Sequence, residues 1–280
     1  MSVKQQPVVN PMDYRGKETV LDVVRTERAE FYNIIDDPKN WNVQTRCSDW
    51  EVRDMVGHMI DVTEGYLSRW DLARVGEEAP APLGLLVMGE KLNENAQAFR
   101  KLPREEAIAQ LKTASDKMLA TFGALTSEEW SGFIVNHPYM GPLPSFFYPA
   151  FHVMDYGVHT WDMNWGLGQK DAQLDERTAG VLVPFMFILM QVTVDAESAR
   201  GINAEFGVVV YGDWGGQWRV TVKDGQFVYA PAENLDGVHA TFQFIHPSDF
   251  VLTTFQRFPG GVATGDQKVI DQIRHLFFRI

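Results

Sequence analysis

Two short runs of this chain carry side chains that could hold a cation. One reads His152-Val-Met-Asp155-Tyr-Gly-Val-His159, the other Asp54-Met-Val-Gly-His58-Met-Ile-Asp61. In an α-helix, residues four apart lie one above the other, so Asp155 and His159 share a face, with His152 near the same stripe one turn earlier. His58, Asp155 and His159 together would offer two imidazoles and a carboxylate. That set suits Zn²⁺ with an open fourth position, and also Fe²⁺, which favours two histidines and one carboxylate. Two other readings fit the spacing. Asp155 could point away, leaving a three-histidine set of His58, His152 and His159. Alternatively all of these are ordinary polar positions, since a motif this short matches often by chance. Gly57, beside His58, removes side-chain bulk and would allow something to approach closely there.

Sites of this kind are built by side chains projecting inward from facing helices, and the apolar spacing supplies such helices. Val20, Val23, Val24, Phe31, Ile34 and Ile35 recur near every 3.6 residues over 19–35, ended by Asp36-Asp37-Pro38. Ser48 or Asp49 can cap a second helix through Trp50, Val52, Met55, Val56, Met59, Ile60 and Tyr66. A third, interrupted helical stretch covers 85–99 and 104–125. Pro138, Gly141, Pro142 and Pro144 make 133–144 a loop. The fourth helix spans 145–165 and stops at Gly166-Leu-Gly168. Four long helices with one inserted loop describe a bundle.

Beyond about residue 199 the texture changes. Segments 205–211, 217–222, 226–230 and 238–244 are short and rich in β-branched and aromatic residues, with Lys223-Asp224-Gly225 as a hairpin turn. Helical patterns over 247–255 and from 267 onward complete a small antiparallel sheet with helices on one face. The apolar segment 181–194 is too short to span a membrane, contains Pro184 and is bounded by Arg177 and Asp195, so it reads as a buried helix between domains. The expectation is an α+β chain with a helical bundle over 1–198 and an α+β domain over 199–280.

Composition narrows the function. Asp and Glu number 37 against 25 Lys and Arg, a net charge of −12, and no basic run interrupts it. Such a surface repels phosphate backbones, so nucleic acid is not an expected partner, nor is a membrane. No export signal is read at the N-terminus, and a cytoplasmic location is expected. The single cysteine, Cys47, excludes an internal disulfide framework and a Cys-rich zinc site; with no histidine within several residues it reads as a structural or incidental thiol rather than a nucleophile.

The run Thr45-Arg-Cys-Ser-Asp-Trp50-Glu-Val-Arg-Asp-Met-Val-Gly-His58-Met resembles a signature of the mycothiol-dependent maleylpyruvate isomerase family, a branch of the DinB-like metal-binding bundles. Asp155-Tyr-Gly-Val-His159-Thr-Trp161-Asp162 and the following Gly166 resemble its second signature. Ala240-Thr-Phe-Gln-Phe, the helix to Arg257, and Thr264-Gly265-Asp266 resemble its sterol-carrier-like C-terminal domain. The resemblance implies metal on His58, Asp155 and His159, and Arg257 over the substrate's carboxylate. It implies a low-molecular-weight thiol as cosubstrate, added to a small electrophile for isomerisation or transfer. The chain departs from the pattern at Asp155, usually Glu, and at Gln256, commonly Gly. The aromatic stretch with Phe133, Tyr139, Phe146, Phe147 and Tyr148 suggests an apolar or aromatic substrate. Asp61 and Asp162 are expected to orient the imidazoles, and Trp161 to pack between helices. His137, His239, His246 and His275 receive no role. Two rival functions stay open: iron-dependent oxidation or metal-assisted hydrolysis at the same site, and a non-catalytic binder of hydrophobic ligands.

Overall fold

Residues 10–278 are described in the computed structural model, and they form two compact units that meet at Leu174 and Asp175. The first unit contains helices α1 (Lys17–Ile35), α2 (Val52–Val75), α3 (Met88–Ala98), α4 (Arg104–Ala124), the short α5 (Ser127–Gly132) and α6 (Phe147–Gly166). Helix α1 packs along α6, and α2 packs along α4 and α3. The reason is visible in the side chains. Helix α1 buries Val20, Val23, Val24, Phe31 and Ile35 on one stripe, whereas α6 is buried on nearly every side from Phe147 to Met163. A helix apolar all round belongs at the centre of its unit. Every polar residue it carries must therefore find a partner there.

The start of α2 differs from expectation. Its N-cap is Glu51, not Ser48 or Asp49. Glu51 is held extended by a bridge to Gln44, and its N–H donates to Asp54 Oδ2 at 2.8 Å. The Arg100 guanidinium grips the fully buried Asp54 through two bonds of 2.6 Å. Two glycines then set helix and loop distances. A Cβ on Gly57 would lie 2.3 Å from the Ala96 carbonyl oxygen of α3. One on Gly166 would lie 2.2 Å from the Gln44 carbonyl oxygen. The close approach expected at Gly57 is thus made by a neighbouring helix backbone.

The expected loop over 133–144 is instead a hairpin, β1 (Ile134–His137) paired antiparallel with β2 (Gly141–Pro144). A two-stranded ribbon tolerates Pro142 and Pro144 because neither needs to donate to a second neighbour. Gly141 supplies the left-handed turn, at φ 82°.

The second unit carries α7 (Glu176–Val192), β3 (Asn203–Val210), β4 (Gly216–Lys223), β5 (Gln226–Pro231), β6 (Ala240–Phe244), α8 (Pro247–Thr254), β7 (Val262–Gly265) and α9 (Gln267–Arg274). The strand order is β5-β4-β3-β6-β7. The sheet is mixed rather than antiparallel, since β3 and β6 run parallel. Phe206, Val208 and Val210 alternate onto one face, opposite Val220, Trp218 and Gly216 of β4. Helix α7 goes with this sheet, so the division falls at 174/175 and not at 198/199. The Phe187 ring explains it, lying 4.8 Å from Trp218, 4.9 Å from Tyr229 and 5.3 Å from Phe250. No helix among the described residues is long and apolar enough to cross a membrane.

After α8 the backbone turns through Gln256 in the left-handed region, at φ 54°. That conformation costs a side-chain-bearing residue about 1–2 kcal/mol, part of which glycine gives back through its freer unfolded chain. Gln256→Gly should therefore raise stability by about 0.5–1 kcal/mol, read as a higher melting temperature. A lower one would show that the Gln256 side chain stabilises the turn by more than its strain.

Candidate metal centre

Helices α2 and α6 bring His58, Asp155 and His159 together in the bundle core. One donor atom from each lies within 4.8 Å of the others. All three are nearly inaccessible, at 3%, 7% and 9% exposure. The imidazoles of His58 and His159 meet edge to face, centroids 4.9 Å apart. His58 Nε2 stands 3.9 Å from Asp155 Oδ1, too long for a hydrogen bond. Neither ring nitrogen of His58 has a hydrogen-bond partner among the described residues, though both are buried. A buried polar atom without a partner is costly and calls for an explanation. A cation between these three side chains would supply one, and the donor set of two imidazoles and a carboxylate fits it.

Protonation states agree with that use. Burial pushes the Asp155 carboxyl up, but His58, His159 and His152 around it outweigh burial and hold it below the ordinary value. Burial lowers His159, with Asp162 pulling back the other way and His58 adding to the decrease. At neutral pH the centre thus presents an anionic carboxylate and a neutral His159 imidazole, the forms that bind metal.

The surroundings orient the donors. His159 Nδ1 donates to Asp162 Oδ2 at 3.1 Å, which leaves Nε2 as its donor to the centre. Asp162 is fully buried. The same Oδ2 accepts from Cys47 Sγ at 3.4 Å. Of the two readings of Cys47 the structural one fits: the loop carrying it docks on α6, where the Arg46 N–H donates to the Asp162 carbonyl at 3.0 Å. Cys47, His159 and Asp162 also lie within 4.8 Å of one another. His159 and Cys47 both donate to Asp162 Oδ2, however, whereas His58 has no hydrogen-bond partner among the described residues. The Trp50 ring lies 5.0 Å from His58 and 5.6 Å from His159, and its Nε1–H donates to Asn93 at 2.9 Å. It covers both imidazoles.

Asp61 does not orient an imidazole; it accepts from Asn95 Nδ2 at 3.0 Å. His152 is buried but stands outside the grouping, its Nδ1 donating to the Tyr148 carbonyl at 3.2 Å. Trp161 donates to the Ala172 carbonyl at 2.7 Å. The aromatic residues before and at the start of α6 pack on one another and on the bundle's other rings: Phe146 stacks on Phe147 at 4.7 Å, and Tyr148 meets Tyr66 of α2 edge to face at 5.0 Å. They are bundle core, so an apolar substrate does not follow from them.

His137, given no role by its position in the sequence, is a buried neighbour of these rings. Its Nδ1 accepts from the backbone N–H groups of Tyr139 and Met140, both at 3.2 Å. The neutral ring must then carry its proton on Nε2, which faces the Tyr66 hydroxyl at 3.2 Å. Burial drives both His137 and His152 from 6.5 to about 4, with Asp155 resisting in each case. Between these values the unfolded chain binds a proton at each histidine that the folded chain refuses. The contribution of these two rings to stability therefore falls as pH drops from 6.5 toward 4 and levels off below. Two such shifts amount to on the order of several kcal/mol. Urea unfolding across that window checks this; a midpoint unchanged on acidification would mean that these rings take up protons while folded.

Arg257 lies in the second unit, on the turn after α8, where its N–H donates to the Leu252 carbonyl at 2.8 Å.

Residues 24–164 match the family model described as mycothiol maleylpyruvate isomerase N-terminal domain. The crystal structure of the mycothiol-dependent maleylpyruvate isomerase, and that of a mutant of it, are similar over 89% of this chain and 94% of theirs, with a TM-score of 0.57 and 11% identity. The colibactin self-resistance protein ClbS, solved with double-stranded DNA, covers 53% of this chain and 94% of its own at 14% identity and a TM-score of 0.45. The expectation against nucleic acid as a partner rests on charge alone. Human Rho guanine nucleotide exchange factor 17 is 30% identical over 112 residues, 40% of this chain, and the chain spans 5% of that protein's length. The matched family segment covers half of the sequence. The chain belongs to the mycothiol maleylpyruvate isomerase N-terminal domain family, and so to a family of enzymes.

Proposed function

We propose that the protein is a metal- and thiol-dependent isomerase or transferase, with one divalent cation, Zn²⁺ before Fe²⁺, held by His58, Asp155 and His159. The thiol is of low molecular weight, mycothiol or one like it, and the substrate is a small electrophile such as a conjugated cis-alkene acid. The observation carrying this reading is the buried His58, whose two ring nitrogens have no hydrogen-bond partner among the described residues while the His159 ring and the Asp155 carboxylate stand beside it. Family membership supports the thiol chemistry.

When bound, a divalent cation with an open position lowers the pKa of a thiol, so that thiolate exists at neutral pH. The chain's own residues prepare for that. Asp162 fixes the His159 tautomer and ring plane. Trp50 keeps water from the imidazole faces. Buried Asp155 brings one negative charge to offset the cation. In isomerisation the sulfur bonds to one alkene carbon and the electron pair moves into the conjugated carbonyl. Rotation about the resulting single bond, then expulsion of the sulfur, restores the alkene and the thiol with no net change of atoms or electrons.

Elemental analysis of the purified protein, joined to a turnover assay with maleylpyruvate and several thiols, tests the reading. About one equivalent of metal and thiol-dependent turnover are expected. Absence of metal, together with no thiol-dependent turnover after adding Zn²⁺, would remove it. Iron with oxygen uptake would instead favour oxidation at this site.

A further inference from the structure

The His159 ring has two nitrogens, and each faces its own set of donors. Nε2 serves the centre described above, whereas Nδ1 lies 3.1 Å from Asp162 Oδ2. The same oxygen lies 3.4 Å from Cys47 Sγ, brought there from 115 positions away. One donor atom from each of Cys47, His159 and Asp162 thus lies within 4.8 Å of the others. A sulfur, an imidazole nitrogen and a carboxylate oxygen converge on the far side of the ring from His58 and Asp155.

The spacing is close to what a tetrahedral cation requires. Zn²⁺ sits about 2.3 Å from a thiolate sulfur and about 2.0–2.2 Å from an imidazole nitrogen or carboxylate oxygen. Tetrahedral angles then put nitrogen and oxygen about 3.4 Å apart, and sulfur and oxygen about 3.6 Å apart. The observed 3.1 and 3.4 Å fall short of these by only a few tenths of an ångström, within reach of small side-chain rotations. Asp162 is fully buried and His159 nearly so, while Cys47 is half-buried. The sulfur is therefore the side from which an ion arrives. A thiolate among the donors selects soft or borderline cations over Mg²⁺ and Ca²⁺.

We propose that Cys47, His159 and Asp162 form a second site, for a thiophilic divalent cation such as Zn²⁺ or Cd²⁺, that shares the His159 imidazole with the first centre. On binding, the thiol proton and the Nδ1–H proton leave to solvent, and the cation bonds to sulfur, nitrogen and Oδ2 in their place. With both sites filled, the charge of two divalent cations is matched by Asp155, Asp162, the Cys47 thiolate and the bridging imidazolate. Buried charge is tolerated when it is offset in this way. Only the bridge rests on the function proposed above; with its proton on Nε2, His159 offers Nδ1 to the second site alone. Filling that site takes Asp162 from the ring it orients, so excess metal should slow turnover.

Titration of the full-length protein with Cd²⁺ tests the proposal, read by the ultraviolet sulfur-to-cadmium charge-transfer band. Cys47 is the chain's one cysteine, so the band reports this sulfur and no other. A band that saturates at about one equivalent is expected. Cys47→Ser, which keeps a hydroxyl donor for Asp162, should show no band and should resist slowing by excess Zn²⁺. Asp162→Asn should weaken the cadmium–sulfur binding by about tenfold or more, which binding by the thiol alone would not. The band should persist in His58→Ala, which lacks a donor to the first centre only, so a failure of the function proposed above would not look like a failure here. No band would overturn the proposal, and so would an undiminished band in a folded Asp162→Asn protein. Loss of the band in His58→Ala would make the sulfur a ligand of the first centre and overturn it as well.

Discussion

His58→Ala should leave a folded protein that no longer retains its metal and whose thiol-dependent turnover has fallen by about a thousandfold or more. Two donors from α6 would remain, one turn apart on a single helix, and a structural or catalytic site normally needs at least three protein ligands. The apo protein should tolerate the change. The imidazole removed makes no hydrogen bond among the described residues, so the lost packing is partly offset by the release of two unsatisfied buried atoms. Thermal melts with and without a chelator separate the effects. Wild type should lose several degrees on chelation, because ligand binding stabilises only the folded state, whereas the variant should not respond. His152→Ala is the companion, and it should keep its metal. If His152→Ala loses metal while Asp155→Ala keeps it, the three-histidine alternative replaces the set named here.

Arg100→Met should destabilise the bundle by about 2–3 kcal/mol, the low end for breaking a buried pair because the arginine is 35% exposed while Asp54 is not exposed at all. The substitution keeps the aliphatic stem but removes both 2.6 Å bonds to Asp54, leaving its carboxylate only the Glu51 N–H. Asp54 starts α2 one turn before His58, so the damage should also show as weaker metal retention. Restoring neutrality with Asp54→Asn in the same chain should recover part of the loss. A melting temperature within a degree of wild type would mean that water replaces the guanidinium without cost.

How much of this could be read from the residues alone depended on distance along the chain. Asp155 and His159 were legible because four residues is one helical turn, and His58 because the signature around it resembles that of a known family. Asp162 was legible for the same reason as Asp155, being three residues from the ring it orients. Cys47 was not: it meets Asp162 across 115 positions, and nothing local to its loop records that. Prolines hid the hairpin at His137, since their usual meaning is a break in pairing. The parallel pairing of β3 with β6 is a non-local choice, and alternation alone reads the same in either direction. Helix α7 was visible as a buried apolar helix, but not which side it would join, because its rings fit any apolar face. The left-handed turn at Gln256 was hidden as well: the departure from a common glycine is visible in the residues, but the backbone angle behind it is not.

Gly57 and Gly166 flank the centre on its two helices, each pressed against a carbonyl oxygen rather than a movable side chain. No single substitution leads away from either by small steps, because even alanine drives a carbon into backbone that cannot rotate aside. An engineer seeking a different cation should therefore leave the helix spacing alone. The adjustable part is the length of the acid at position 155, where one methylene more or less changes reach without moving the walls.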